Sequence, residues 1–123
     1  MSHYATEIKP ATCYIHKGDF DEILYRIKKA AEAECWNCYG WQKAVLNANT
    51  LEDVAKVFDI QLLHEYGNYY RPYIFDVYVS DFFKTLIEIM SYFMTNGKIM
   101  VNDEYSDVTI EYKNGSVKIK EVA

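Results

Sequence analysis

Apolar residues recur along this chain first at helical and later at strand spacing. Phe20, Ile23, Leu24, Ile27, Ala30 and Ala31 share one helix face, with Asp21, Arg26, Lys28, Lys29 and Glu32 between them. That pattern predicts an amphipathic helix running to about Glu34. Lys17-Gly18-Asp19 turns the chain into it, with Asp19 as cap and Glu22 three residues on. Ahead of it, two extended stretches, Tyr4 to Ile8 and Thr12 to His16, are separated by Lys9-Pro10. Pro10 breaks the run or places it at a sheet edge. Residues 35–49 are the least regular part, with Gln42 to Leu46 reading as one or two helical turns. Thr50 with Asp53 starts a short helix to Phe58 that turns Val54, Val57 and Phe58 inward.

The second half is clearer. Ile60 to Tyr66 and Tyr69 to Phe75 flank Gly67-Asn68, a pair suited to a tight turn, so a hairpin is expected. Pro72 places the second strand at an edge or at a bulge. Ser80 caps the helix predicted to be the longest, Asp81 to about Thr95, ended by Asn96-Gly97. Its apolar set (Phe82, Phe83, Leu86, Ile87, Ile89, Met90, Phe93 and Met94) is too wide for one solvated face, which makes it the central core helix. Lys98 to Val101 follows as a strand and residues 102–107 as its turn. Asn114-Gly115 then closes a hairpin pairing Tyr112 with Val117, Ile110 with Ile119 and Glu111 with Lys118. Residues 1–123 therefore form a single α+β domain. Its antiparallel, hairpin-built sheet packs on one long core helix and two shorter ones.

Composition narrows the function. The chain has 123 residues, half of them hydrophobic, with twelve tyrosines against six phenylalanines and two tryptophans. Tyrosine joins an apolar face to a polar tip and suits half-buried rims and interfaces. The net charge of −5 falls entirely on residues 49–123. An acidic surface with only Arg26 and Arg71 as arginines disfavours direct nucleic-acid binding. It steers the protein instead towards a basic partner. No segment has the length and apolarity of a membrane span, and the N-terminal residues do not read as a leader, so a cytoplasmic location is expected.

All three cysteines lie in two short pairs, Cys13-Tyr-Ile-His16 and Cys35-Trp-Asn-Cys38. The spacing predicts a closed structural zinc site of Cys13, His16, Cys35 and Cys38. His3 and His64 are substitute donors, because residues three apart on a regular strand point to opposite faces. Packing of the cysteines as small buried hydrophobes is the alternative reading. The Cys35–Cys38 pair follows a helix, where the negative end of the dipole destabilises a thiolate, and this argues against a redox role. No phosphate loop, G-x-S-x-G or H-E-x-x-H occurs, so an enzyme is not expected. The expected partner-binding residues are Tyr66, Tyr69, Tyr70 and Arg71 at the first hairpin tip, with Asp103, Glu104 and Asp107 in the later turn.

Leu51-Glu-Asp-Val with Phe58, Phe83 with Ile87, Tyr92 and Asn96-Gly97, and Tyr112-Lys-Asn-Gly-Ser-Val117 resemble a family of small uncharacterised bacterial and phage proteins. The resemblance covers roughly the last 70 residues and implies a fold, not a function. Asp107-Val-Thr-Ile110 departs from it where a tryptophan-rich strand is usual. In size, acidity and tyrosine content the chain also resembles phage anti-defence proteins of the anti-CRISPR type. That resemblance implies an inhibitor that occupies the basic nucleic-acid channel of a CRISPR nuclease and blocks its loading, and the zinc spacing adds the expectation that it is zinc-stapled. A non-enzymatic regulatory module is the second expectation, and a zinc-ribbon-like nucleic-acid binder the third.

Overall fold

The structure, a computed structural model, describes residues 4–33 and 40–122. Among these residues, four α-helices and eight strands in antiparallel sheets form the α+β domain that the pattern predicts. In chain order these are β1 (Tyr4–Lys9), β2 (Ile15–His16), α1 (Phe20–Ala33), α2 (Gly40–Asn47), α3 (Leu51–Val57), β3 (Ile60–Tyr66), β4 (Tyr69–Ile74), β5 (Val77–Tyr78), α4 (Asp81–Ile89), β6 (Gly97–Asn102), β7 (Asp107–Lys113) and β8 (Ser116–Val122). They make two sheets, a five-stranded one ordered β5-β1-β6-β7-β8 and a three-stranded one ordered β2-β4-β3.

The last hairpin takes the predicted register, Tyr112 opposite Val117, Ile110 opposite Ile119 and Glu111 opposite Lys118. Asn114 and Gly115 both adopt the positive φ that its two-residue turn requires, 52° and 79°. The first hairpin closes as expected over Gly67-Asn68, with Tyr66 opposite Tyr69. Pro72 lies in β4, the middle strand of its sheet, yet interrupts no ladder. The Ile74 N–H donates to Glu7 Oε1 at 3.0 Å and so points away from β3. Pro72, two residues earlier, shares that direction, and of β4 only Tyr69 and Tyr70 pair with β2. The missing N–H therefore falls on an edge-like stretch of a central strand.

Helix α4 is shorter than its apolar pattern suggests, and α1 is the longest helix among the described residues. After Ile89 the chain tightens into a 3-10 turn, Met90–Tyr92, and then leaves helical geometry. Thr95 instead exchanges bonds with the strand-like run after β1: its N–H donates to the Tyr14 carbonyl at 2.9 Å, and its Oγ1 accepts from the Tyr14 N–H at 2.7 Å. These bonds satisfy backbone groups that a further helical turn would otherwise have used. The one or two helical turns expected over Gln42 to Leu46 form as an eight-residue helix, α2. Its buried Gln42 donates to the Ala31 carbonyl at 2.8 Å, and Trp41 stacks on Phe82 at 4.5 Å.

One core serves both sheets. Ile23, Ile27, Val54, Ile74, Ile99 and Ile110 are all nearly inaccessible. A small apolar cavity of about 80 Å³ lies where α1, α3, α4 and the two sheets meet.

Candidate functional site

The tip tyrosines and the acidic turn lie towards opposite ends of β6, whereas Arg71 reaches Glu7, which is opposite Val101 near the turn end. Tyr14, beside the hairpin tip, is bonded to Thr95 just before β6 begins, whereas Asp103, Glu104 and Asp107 lie in or beside the turn where β6 ends. Six strand residues at about 3.3 Å each separate the two ends by nearly 20 Å.

At the tip, the rings brace one another. Tyr66 meets Tyr14 at 5.5 Å and Tyr69 at 5.3 Å, and Tyr69 meets His16 at 5.1 Å. Tyr70 turns inward, against Phe20 at 5.4 Å and His64 at 5.3 Å. Only Tyr66 among the three tip tyrosines is largely exposed. Arg71 is not presented to a partner at all. Its side chain is only 17% exposed, with Nε 3.0 Å from Glu65 Oε2 and Nη1 3.7 Å from Glu7 Oε2. The guanidinium joins β4 to β3 and β1, so its role lies within the fold.

The acidic turn is built by its own side chains. Asp103 Oδ1 accepts from the N–H groups of Tyr105 and Ser106, and Asn102 Nδ2 donates to Asp107 Oδ1 at 3.0 Å. Glu104 is exposed and holds φ at 80°, a left-handed value that strains a residue with a Cβ. The turn has neighbours from distant strands. Strand β1 is antiparallel to β6, with Thr6 opposite Asn102, so the start of β1 lies at the same end as the turn. Tyr4 there pairs with Tyr78 of β5, and the two exposed rings meet edge to face at 5.6 Å. Asp76 on the β4–β5 link, its N–H held by Thr6 Oγ1, and Asp81 at the start of α4 border the same end. Asp103, Glu121 and Lys84 line a shallow depression of about 70 Å³ beside them. Together with Tyr105 this forms an acidic, tyrosine-bearing surface. No local motif signals it, because Tyr4 and Tyr78 are brought together only by strand pairing.

The two described members of the expected zinc site face apart. Cys13 is fully buried in the core, and burial pushes its thiol up to about 12, so it stays protonated at neutral pH. His16 faces the other side of the strand, where Nδ1 accepts from the Gly18 N–H at 2.9 Å and caps the 3-10 turn, Lys17–Asp19, that leads into α1. Cys35, Cys38 and the substitute donor His3 lie outside the described residues. The other substitute, His64, has Nε2 2.8 Å from the Gly67 carbonyl. Among the described residues no three His, Cys, Asp or Glu side chains are grouped to hold a metal ion. Among them, too, no helix is long and apolar enough to cross a membrane.

No protein-family model, curated protein or solved structure matches this chain.

Proposed function

We propose that this is a non-enzymatic binding protein whose acidic, tyrosine-bearing end docks on a basic surface of a larger partner. The observation that carries the reading is the exposed Tyr4–Tyr78 pair beside the Asp103, Glu104 and Asp107 turn. Tyrosines supply contact area at little entropic cost, and surrounding carboxylates select a lysine- and arginine-rich counterpart. The partner class we favour is the nucleic-acid channel of an RNA-guided nuclease, in keeping with the anti-CRISPR resemblance.

Calorimetric titration of purified nuclease, with and without its guide RNA, tests this. Binding to the guide-free enzyme is expected, weakening steeply with salt. Tyr78→Ala should weaken it about tenfold, the effect typical of an interface anchor. Glu104→Gly should also weaken binding while raising fold stability by roughly 0.5–1 kcal/mol, because it relieves the positive φ. Equal affinity for all three proteins would place the interface elsewhere, and no binding to the nuclease would discard this partner class.

A structural zinc held by Cys13, His16, Cys35 and Cys38 belongs to the same proposal as a staple of the N-terminal half. It requires His16 to release Gly18, the chain at 13–16 to turn so that Cys13 and His16 face one ion, and Cys13 to ionise on binding. Elemental analysis is expected to give one equivalent of zinc in the native protein and none in Cys35→Ser. Substoichiometric metal would discard the staple.

A further inference from the structure

The four edges of the two sheets are protected unequally. Strands β2 and β5 are two residues long, and β8 carries Lys118 and Lys120. Short strands and edge lysines are the usual devices that stop one sheet from pairing with another. Strand β3, Ile60-Gln-Leu-Leu-His-Glu-Tyr66, has neither: it is seven residues long and contains no lysine and no proline. Pro72 opposite Leu62, together with the outward N–H of Ile74 opposite Ile60, fixes which way its backbone faces. Gln61 and Leu63 bond to β4, whereas the N–H and C=O groups of Ile60, Leu62 and His64 point to the free edge. Among the described residues none bonds to them.

We infer that β3 is an interface strand on which a second copy of this chain pairs, antiparallel across a two-fold axis, to join two three-stranded sheets into one of six. Any residue of β3 set opposite its own copy keeps the outward groups in phase, but only Leu63 on the axis overlaps all seven residues. With Leu62 opposite its own copy, Glu65 would face Asp59 of the partner, a like-charge opposition. With Leu63 opposite its own copy, Glu65 faces Gln61 and Leu62 faces His64, with no repulsion. The strand is self-complementary in the second register, and this favours a second copy over a different extended peptide. Half-exposed Leu63 would meet Leu63 of the partner on the outer sheet face. One strand pair buries less than the roughly 800 Å² per partner of a stable interface, so the dimer forms only at high concentration.

Sedimentation equilibrium tests this on the native chain. The mass should stay at 14.4 kDa in the low micromolar range and climb towards twice that value near millimolar. Over the same range, hydrogen exchange at the Ile60, Leu62 and His64 amides should slow several-fold. Leu63→Lys places like charges on the two-fold axis and should hold the chain monomeric with an unchanged near-ultraviolet spectrum. Mixing Leu63→Lys with Leu63→Glu should restore the dimer as a mixed pair. A chain that stays monomeric near millimolar overturns the inference. So does a dimer that leaves those three amides unprotected, or protection that arises only on adding a different protein.

Discussion

Replacing Arg71 with methionine is expected to destabilise the fold by about 3 kcal/mol, the scale for removing one partner of a largely buried ion pair. Methionine keeps most of the aliphatic volume, so the loss reports chiefly on charge. The guanidinium lies between Glu65 on β3 and Glu7 on β1, and the Glu7 side chain is only 8% exposed. Glu7 also fixes β4 to β1 by accepting the Ile74 N–H through Oε1. Without Arg71 its second oxygen keeps a charge that neither water nor a cation balances. Glu65 is more exposed and would be rehydrated, which is why the estimate sits at the low end of the range for buried pairs. Arg71 Nη1 is itself buried without a hydrogen bond, so the pairing is imperfect and part of its cost disappears with it. Adding Glu7→Gln to Arg71→Met should recover a large share of the loss, because the amide oxygen still accepts from Ile74 while the orphaned charge is gone. Urea unfolding of the four proteins in this cycle measures the coupling. A coupling near zero would mean that packing alone joins the two sheets here.

Local chemistry made much of this fold legible. The Asn114-Gly115 turn, with an apolar face and a charge pair agreeing on one register, specified β7–β8 residue by residue. Thr50 and Ser80 cap α3 and α4 as their positions suggested, through the N–H groups of Asp53 and Phe83. What local pattern could not supply is competition from distant backbone. The apolar periodicity continues to Met94, but Thr95 binds Tyr14, eighty-one residues earlier, and α4 stops short. Asp19 looked like the cap of the first helix, whereas the turn ahead of α1 is capped by His16. The strand β5 is only two residues long and exists because β1 is there to pair with it.

The acidic turn was legible in the sequence, but its surroundings were not. Asp103, Glu104 and Asp107 were identified from composition, and they do form an acidic turn, yet their aromatic neighbours come from β1 and β5. Arg71, grouped with the tip tyrosines by adjacency, alternates to the outer face and turns back onto Glu7 and Glu65, because adjacent strand residues point to opposite faces. Clusters along a chain become surfaces only when the sheet order permits.

Gly97→Ala should cost roughly 3 kcal/mol, the upper end for forcing one extra methyl into packed surroundings. The glycine is needed for space rather than conformation. A Cβ there would lie 2.4 Å from the Thr12 carbonyl oxygen and 2.8 Å from the Cys13 nitrogen, so the obstacles are backbone atoms. Those atoms cannot retreat cheaply. The Thr12 N–H donates to the Lys98 carbonyl at 3.0 Å, and the Lys98 N–H returns a bond to Thr12 Oγ1 at 2.9 Å. Just ahead, Tyr14 and Thr95 exchange two more bonds, and Ile15 bridges Met94. Moving residues 12–14 outward would loosen this clamp and lift Cys13 from the core. A melting temperature lower by roughly 10 °C is the expected readout for a domain of this size. Gly40→Ala provides the contrast: a Cβ on that first residue of α2 meets nothing within 4 Å, so alanine there should leave stability unchanged or raise it slightly. If the two substitutions had equal effects, the close approach of residues 12–13 over Gly97 would not be what holds the N-terminal run to β6.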